Sequence, residues 1–140
     1  MTLKNLKRIA ADSNVLLSAV IGKSALKVFT HTELEIFTTA NNVEEVEEYL
    51  PQLTIKYHLN SRQVLLQWRM LSIHVVPISF YKDKLEMAKN YLKQRDPDDI
   101  HLAALALKNK IPVWSNDKDY EGIPGLIVYP TAKLLNLFHL

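Results

Sequence analysis

Short apolar runs of strand length alternate with segments of helical periodicity along almost the whole chain, and this alternation constrains the fold most. Arg8 to Ala11, Glu35 to Thr38, His74 to Val76, Ile111 to Ser115 and Leu126 to Tyr129 read as strands. Asn14 to Ile21 and Ser24 to Phe29 read as short helices. In Asn42 to Leu50, Val43, Val46 and Leu50 share one side of a helix, with Glu44, Glu47 and Glu48 around the rest. Pro51, which brings no amide donor, is expected to stop or kink that helix. Ser61 to Leu71 repeats Val64, Leu65, Trp68 and Leu71 at helical intervals, with Ser61 as the expected cap. Ser79 is expected to cap a helix running to about Leu92. Ile100 to Leu107 is apolar nearly all round and alanine-rich, the pattern of a centrally buried helix, and Thr131 to Leu137 closes the chain as another. Such alternation predicts an α/β fold, a three-layer α/β/α sandwich with a mainly parallel central sheet.

At 140 residues the chain has the length of one domain, residues 1–140, with room for a real core. No apolar run reaches membrane-spanning length and no secretory signal is legible, so the expected location is cytoplasmic. The absence of cysteine removes disulfides, thiolate zinc sites and thiol nucleophiles together. With only Gly22, Gly122 and Gly125, neither a Walker loop nor a dinucleotide fingerprint can be assembled. The five histidines are scattered and form no His-Glu-x-x-His pair. A formal charge of +2 permits a nucleic-acid partner without arguing for one.

What remains as concentrated chemistry is carboxylate. Six of the seven aspartates fall in three clusters: Asp12 after the first strand, Asp96/Asp98/Asp99 around Pro97, and Asp117/Asp119 after Val113-Trp114-Ser115-Asn116. Aspartate is a short, hard oxygen ligand, and gathering several is how a protein holds Mg²⁺ or Mn²⁺. Each acid alone has a structural reading. Asp12 can cap the following helix, Asp96 can cap the one begun by Pro97, and Asp117 and Asp119 can belong to a polar loop. In open parallel sheets, however, ligands sit beyond the carboxyl ends of strands, and all three clusters fall at strand or helix ends. Together they point to a divalent-metal site for phosphate chemistry.

The order Ile-Ala-Ala-Asp-Ser-Asn-Val-Leu-Leu-Ser, an acidic helix, Arg-Asp-Pro-Asp-Asp-Ile-His-Leu-Ala-Ala-Leu-Ala, then Val-Trp-Ser-Asn-Asp-Lys-Asp-Tyr resembles the PIN-domain family over residues 8 to 137. That resemblance implies a Mg²⁺- or Mn²⁺-dependent ribonuclease, often the toxin of a toxin–antitoxin pair, with RNA as substrate, a cognate antitoxin as partner and a homodimer as assembly. Carried over by position, it implies Asp12, Asp99 and Asp117 as catalytic metal ligands, Asp119 as an additional metal ligand, and Glu45 as the catalytic glutamate, with Glu44 the fallback. Asn14 and Ser115 would support these ligands and Lys118 would contact phosphate. Asn116 departs from the small residue common before the third acid. Lys23, Lys27, Arg62, Arg69 and Arg95 are further candidates for phosphate contacts. Trp114 is expected in the core; Trp68, with Leu65 and Leu71, is expected in the core or at a subunit contact. Two other classes stand beside the nuclease: a non-catalytic nucleic-acid or protein-binding module on the same fold, and a small Asp-dependent phosphatase, against which the lack of an early Asp-x-Asp pair argues.

Overall fold

The computed structural model describes residues 6–92 and 97–140; the expectations for Arg95 and Asp96 lie outside them. Five strands, β1 (Arg8–Ala11), β2 (Glu35–Thr39), β3 (His74–Val76), β4 (Val113–Trp114) and β5 (Val128–Tyr129), form one sheet in the order β3-β2-β1-β4-β5, with every pairing parallel. The chain moves outward from β1 through β2 to β3, then returns to start again at β4. The order therefore reverses between β1 and β4, and the carboxyl ends of those strands flank the crevice where such sheets take ligands.

Side chains alternate across the sheet with the two-residue period of a strand. Ile9, Ala11, Ile36, Trp114 and Tyr129 face one layer, packing with α1 (Ser13–Val20), α2 (Ala25–His31), α3 (Ala40–Lys56), α4 (Ser61–Met70) and α8 (Thr131–Leu137). Ala10 and Val113 face the other, against α5 (Ile78–Tyr81), α6 (Leu85–Tyr91) and α7 (Pro97–Asn109). The three-layer sandwich is thus present. Helix α7 lies centrally because Leu102, Ala103, Ala104, Leu105 and Ala106 are all buried, the small alanines letting it sit close to the sheet. Trp114 is fully buried, as expected, its Nε1 donating to Thr131 Oγ1 at 2.9 Å.

Some boundaries differ from the sequence reading. Helix α3 begins at Ala40 and runs through Pro51 to Lys56. Pro51 is exposed while Leu50 and Thr54 are buried, so both halves of the helix stay docked on the core despite the missing amide. The cap of α4 is Asn60, whose side chain accepts from Gln63 N at 3.1 Å, and not Ser61. Ser79 lies inside α5, and the segment to Leu92 is broken by a 3-10 turn at Lys82–Lys84. Trp68 and Leu71 are buried and Leu65 is exposed, so that face of α4 serves chiefly the core. Helices α3, α7 and α8 close on His58, Lys110 and His139 at positive φ, a conformation usually left to glycine. Among the described residues no helix is long and apolar enough to cross a membrane.

Candidate metal centre

The first acid is placed by the β1–β4 pairing. Asp12 follows Ala11 and donates its amide to Trp114 O at 3.1 Å; on the next strand, Ser115 donates its own amide to Tyr129 O at 3.2 Å. These hydrogen bonds bring two residues 103 positions apart side by side, and Ser115 Oγ donates to Asp12 Oδ2. Asp12 Oδ1 accepts from Val15 N at 2.9 Å, capping α1. The capping role and the site role therefore coincide in one carboxylate. Asp12 is 5% exposed, and burial lifts its pKa from 3.8 to about 6 against the lowering hydrogen bonds from Ser115 and Val15; the charges of Asp117 and Glu45 push it the same way as burial.

Ser115 also orders the loop that follows. Its Oγ accepts from Asp117 N at 2.9 Å, and Asp117 Oδ1 accepts from Asp119 N at 3.0 Å, opening a 3-10 turn over Lys118–Tyr120. That turn drives Tyr120 into the interior, where its hydroxyl donates to Asp99 Oδ1 at 2.8 Å. Asp99 itself stands in the first turn of α7, where a carboxylate faces the positive end of the helix. Burial and the neighbouring Asp99, Asp12 and Asp117 hold the Tyr120 hydroxyl well above its ordinary pKa, so it is a proton donor throughout the working range. Asn116, the departure noted above, accepts from Thr131 N at 2.8 Å and so ties this loop to the start of α8.

The result is convergence. Asp99, Asp117 and Asp119 each offer a carboxylate oxygen within 4.8 Å of the others. Asp12 is not one of this trio, but it lines an open depression of about 520 Å³ with Asn14, Asn116, Asp117 and Lys118. Glu45 is half-buried on α3 and acts on Asp12 electrostatically, whereas Glu44 points to solvent; the geometry thus separates two candidates that the sequence left together. Asp98, the other acid of that turn, bears electrostatically on Tyr81. Lys27, Arg62 and Arg69 are exposed but do not line the depression.

Several uncharged groups that the sequence did not single out hold this end of the sheet. Thr39 caps α3, accepting from Asn42 N at 3.1 Å and donating to Asn42 Oδ1 at 2.6 Å. Buried Asn42 then donates through Nδ2 to Ser13 Oγ at 2.8 Å, beside Asp12. Thr38 Oγ1 donates to Ala11 O at 2.9 Å. These bonds fix the start of α3, which carries Glu45, against the end of β1, which carries Asp12.

Hard, anionic oxygens brought together in an open depression suit a hard divalent cation, since like charges so close otherwise repel and raise one another's pKa. The residues present fit Mg²⁺ or Mn²⁺.

A sequence model of the PIN domain matches residues 11–134, and the chain belongs to the PIN-domain family. Its fold is similar to that of a toxin–antitoxin complex from Klebsiella pneumoniae (TM-score 0.60, 17% identity, 85% of this chain and 95% of that one). It is also similar to VapBC2 from Rickettsia felis bound to a DNA fragment from their promoter (0.63, 13%, 88% and 98%) and to FitAcB from Neisseria gonorrhoeae (0.52, 16%, 89% and 98%). At these identities the likeness is one of fold. No curated protein matches the sequence.

Proposed function

We propose that this chain is a Mg²⁺- or Mn²⁺-dependent endoribonuclease, the toxin of a toxin–antitoxin pair, acting in the cytoplasm as a homodimer that a cognate antitoxin silences. The observation that carries the nuclease reading is the convergence of Asp99, Asp117 and Asp119 within 4.8 Å at the β1/β4 reversal, beside buried Asp12. Membership of the PIN-domain family and the fold shared with toxin–antitoxin complexes support the rest.

Asp12, Asp99, Asp117 and Asp119 would hold the metal, which when bound neutralises the acids, polarises the scissile phosphate and makes water a nucleophile near neutral pH. The chain's own groups do the positioning. Ser115 aligns Asp12 with Asp117, and the Tyr120 hydroxyl fixes one oxygen of Asp99. Glu45, half-buried and facing Asp12, is placed to accept a proton from or orient the attacking water, and Asn14 borders the same depression. Lys118, exposed between two acids, offers the phosphate a counter-charge. Water oxygen bonds to phosphorus, the bond to the 3′ oxygen breaks, and that oxygen leaves with a proton. The products carry 5′-phosphate and 3′-hydroxyl ends, and the ribose 2′-hydroxyl takes no part.

The test is cleavage of a mixed labelled RNA pool by the purified protein in Mn²⁺ or in EDTA, beside Asp99→Asn. Metal-dependent cutting that the substitution abolishes supports the proposal. Equal cutting by both proteins, or cutting that EDTA leaves intact, would overturn it.

A further inference from the structure

The metal centre lies at one end of a longer feature on α3. At 100° per residue, Glu45, Tyr49, Gln52 and Lys56 fall on a single stripe of that helix. Eleven residues separate its ends, about 16 Å at 1.5 Å each. Glu45 stands at the acid end, and Tyr49 is 44% exposed in the middle. Lys56 closes the helix in its last turn. Glu44 and Glu47 are turned well round from this stripe, and Glu48 only flanks it.

The stripe forms one wall of a groove of about 290 Å³, lined by Asn14, Leu17, Tyr49, Gln52, Leu53 and Lys56. Asn14 also lines the acid depression, so the two hollows meet at that residue. Beyond Lys56 the surface becomes cationic. Lys23 Nζ lies 5.0 Å from the Tyr57 ring centroid and Lys56 Nζ lies 5.4 Å from it, while Lys23 also donates to Tyr57 Oη at 3.3 Å. Tyr57 remains 38% exposed. The Lys23 hydrogen bond, then the charges of Lys23 and Lys56, draw its hydroxyl below the ordinary tyrosine pKa, a mark of local positive potential.

We propose that this groove is the track that holds single-stranded RNA leading away from the metal centre, with Tyr49 as a base-stacking platform and Lys23, Lys56 and Tyr57 Oη gripping a backbone phosphate. The inference rests on the nuclease reading above. An apolar floor (Leu17, Leu53), an exposed aromatic ring and a pair of lysines beyond it are the combination that single-stranded nucleic acid requires. A duplex would bury its bases from Tyr49 and meet the groove with phosphates alone. The cationic end also meets a physical need, because the acid end repels a polyanion and the strand must be held from elsewhere.

Two variants test the track: Tyr49→Leu, with Tyr49→Phe as its rescue, and Lys23→Gln/Lys56→Gln. All affected side chains reach the surface, and circular dichroism melts check that the fold is kept. Steady-state cleavage of an unstructured RNA oligonucleotide should show KM raised about fivefold or more in Tyr49→Leu, with kcat held and KM restored by Tyr49→Phe. For the lysine pair, affinity for the same RNA measured in the Asp99→Asn background should depend on salt less steeply, its log–log slope smaller by about 1.4. A 4-thiouridine RNA should crosslink to the α3 peptide. If wild type cuts RNA while both variants keep its KM, salt slope and crosslinks, the track is wrong and the nuclease reading stands. If wild type neither binds nor cuts RNA, both fail. If the variants lose only the capture of a protein partner, the groove is a protein-docking site and the RNA track is overturned.

Discussion

Replacing Asp12 by asparagine should stabilise the metal-free protein while destroying the site. The buried carboxyl titrates near 6 when folded against 3.8 when unfolded, a rise of about two units. Because the folded state holds that proton more tightly, the stability linked to Asp12 is fully present below about pH 4 and is lost as pH rises through 6. Above pH 7 the ionised group costs roughly 3 kcal/mol relative to a neutral one. Asparagine keeps an oxygen for Val15 N and is itself a good helix cap, but it leaves the Ser115 hydroxyl without its acceptor, at about 1 kcal/mol. The balance is a gain of about 2 kcal/mol at pH 8 that fades and reverses to a small loss near pH 4. Urea unfolding of both proteins in EDTA at pH 8, 6 and 4 measures it directly. Mn²⁺ added at pH 8 should then stabilise the wild type more than Asp12→Asn. A difference between the two proteins that does not change with pH would refute the reasoning, as would an Asp12→Asn protein that is less stable at pH 8.

Removing the shared hydroxyl in Ser115→Ala should cost about 1–3 kcal/mol of stability at pH 8 by denaturant titration, because Asp12 is left buried and less well bonded while Asp117 N loses its acceptor. Tyr120→Phe should weaken Mn²⁺ binding by about tenfold in calorimetry, with a loss of about 1 kcal/mol in stability, since Asp99 is no longer held by the buried hydroxyl. Asn42→Ala should destabilise by about 2 kcal/mol in the same unfolding assay, because Thr39 and Ser13 both lose a buried partner. Lys110→Gly should raise stability by up to about 1 kcal/mol, relieving a side chain at φ 55° where α7 ends.

The elements most legible in the sequence were those whose patterning agrees with their surroundings. Strand β1 and helix α8 have the expected limits, and the alanine-rich centre of α7 is buried as its composition implied. The acids were legible because they fall at element ends, and parallel topology turns such ends into one edge. Where the reading slipped, a tertiary contact overrode a local preference. The helix expected from Ser79 breaks after Tyr81, a residue turned fully inward with its hydroxyl 2.7 Å from His101 Nδ1. Pro51 fails to end α3 because residues on both sides of it are anchored in the core. Strand β4 is shorter than Ile111 to Ser115, though Ser115 still donates across to β5. Tyr120, Thr39 and Asn42 carry no sign of their roles in linear order. Their partners at the site, Asp99 and Ser13, lie 21 and 29 positions away from Tyr120 and Asn42, and neutral groups announce themselves only through folded geometry.

Whether these acids form one metal site is decided most directly by anomalous diffraction from crystals soaked in Mn²⁺. The account predicts a Mn²⁺ peak in the acid depression, with carboxylate oxygens of Asp99 and Asp117 in its coordination shell and Asp12 or Asp119 completing the set. A fully soaked crystal with no peak there, or with manganese bound only elsewhere on the surface, would contradict it.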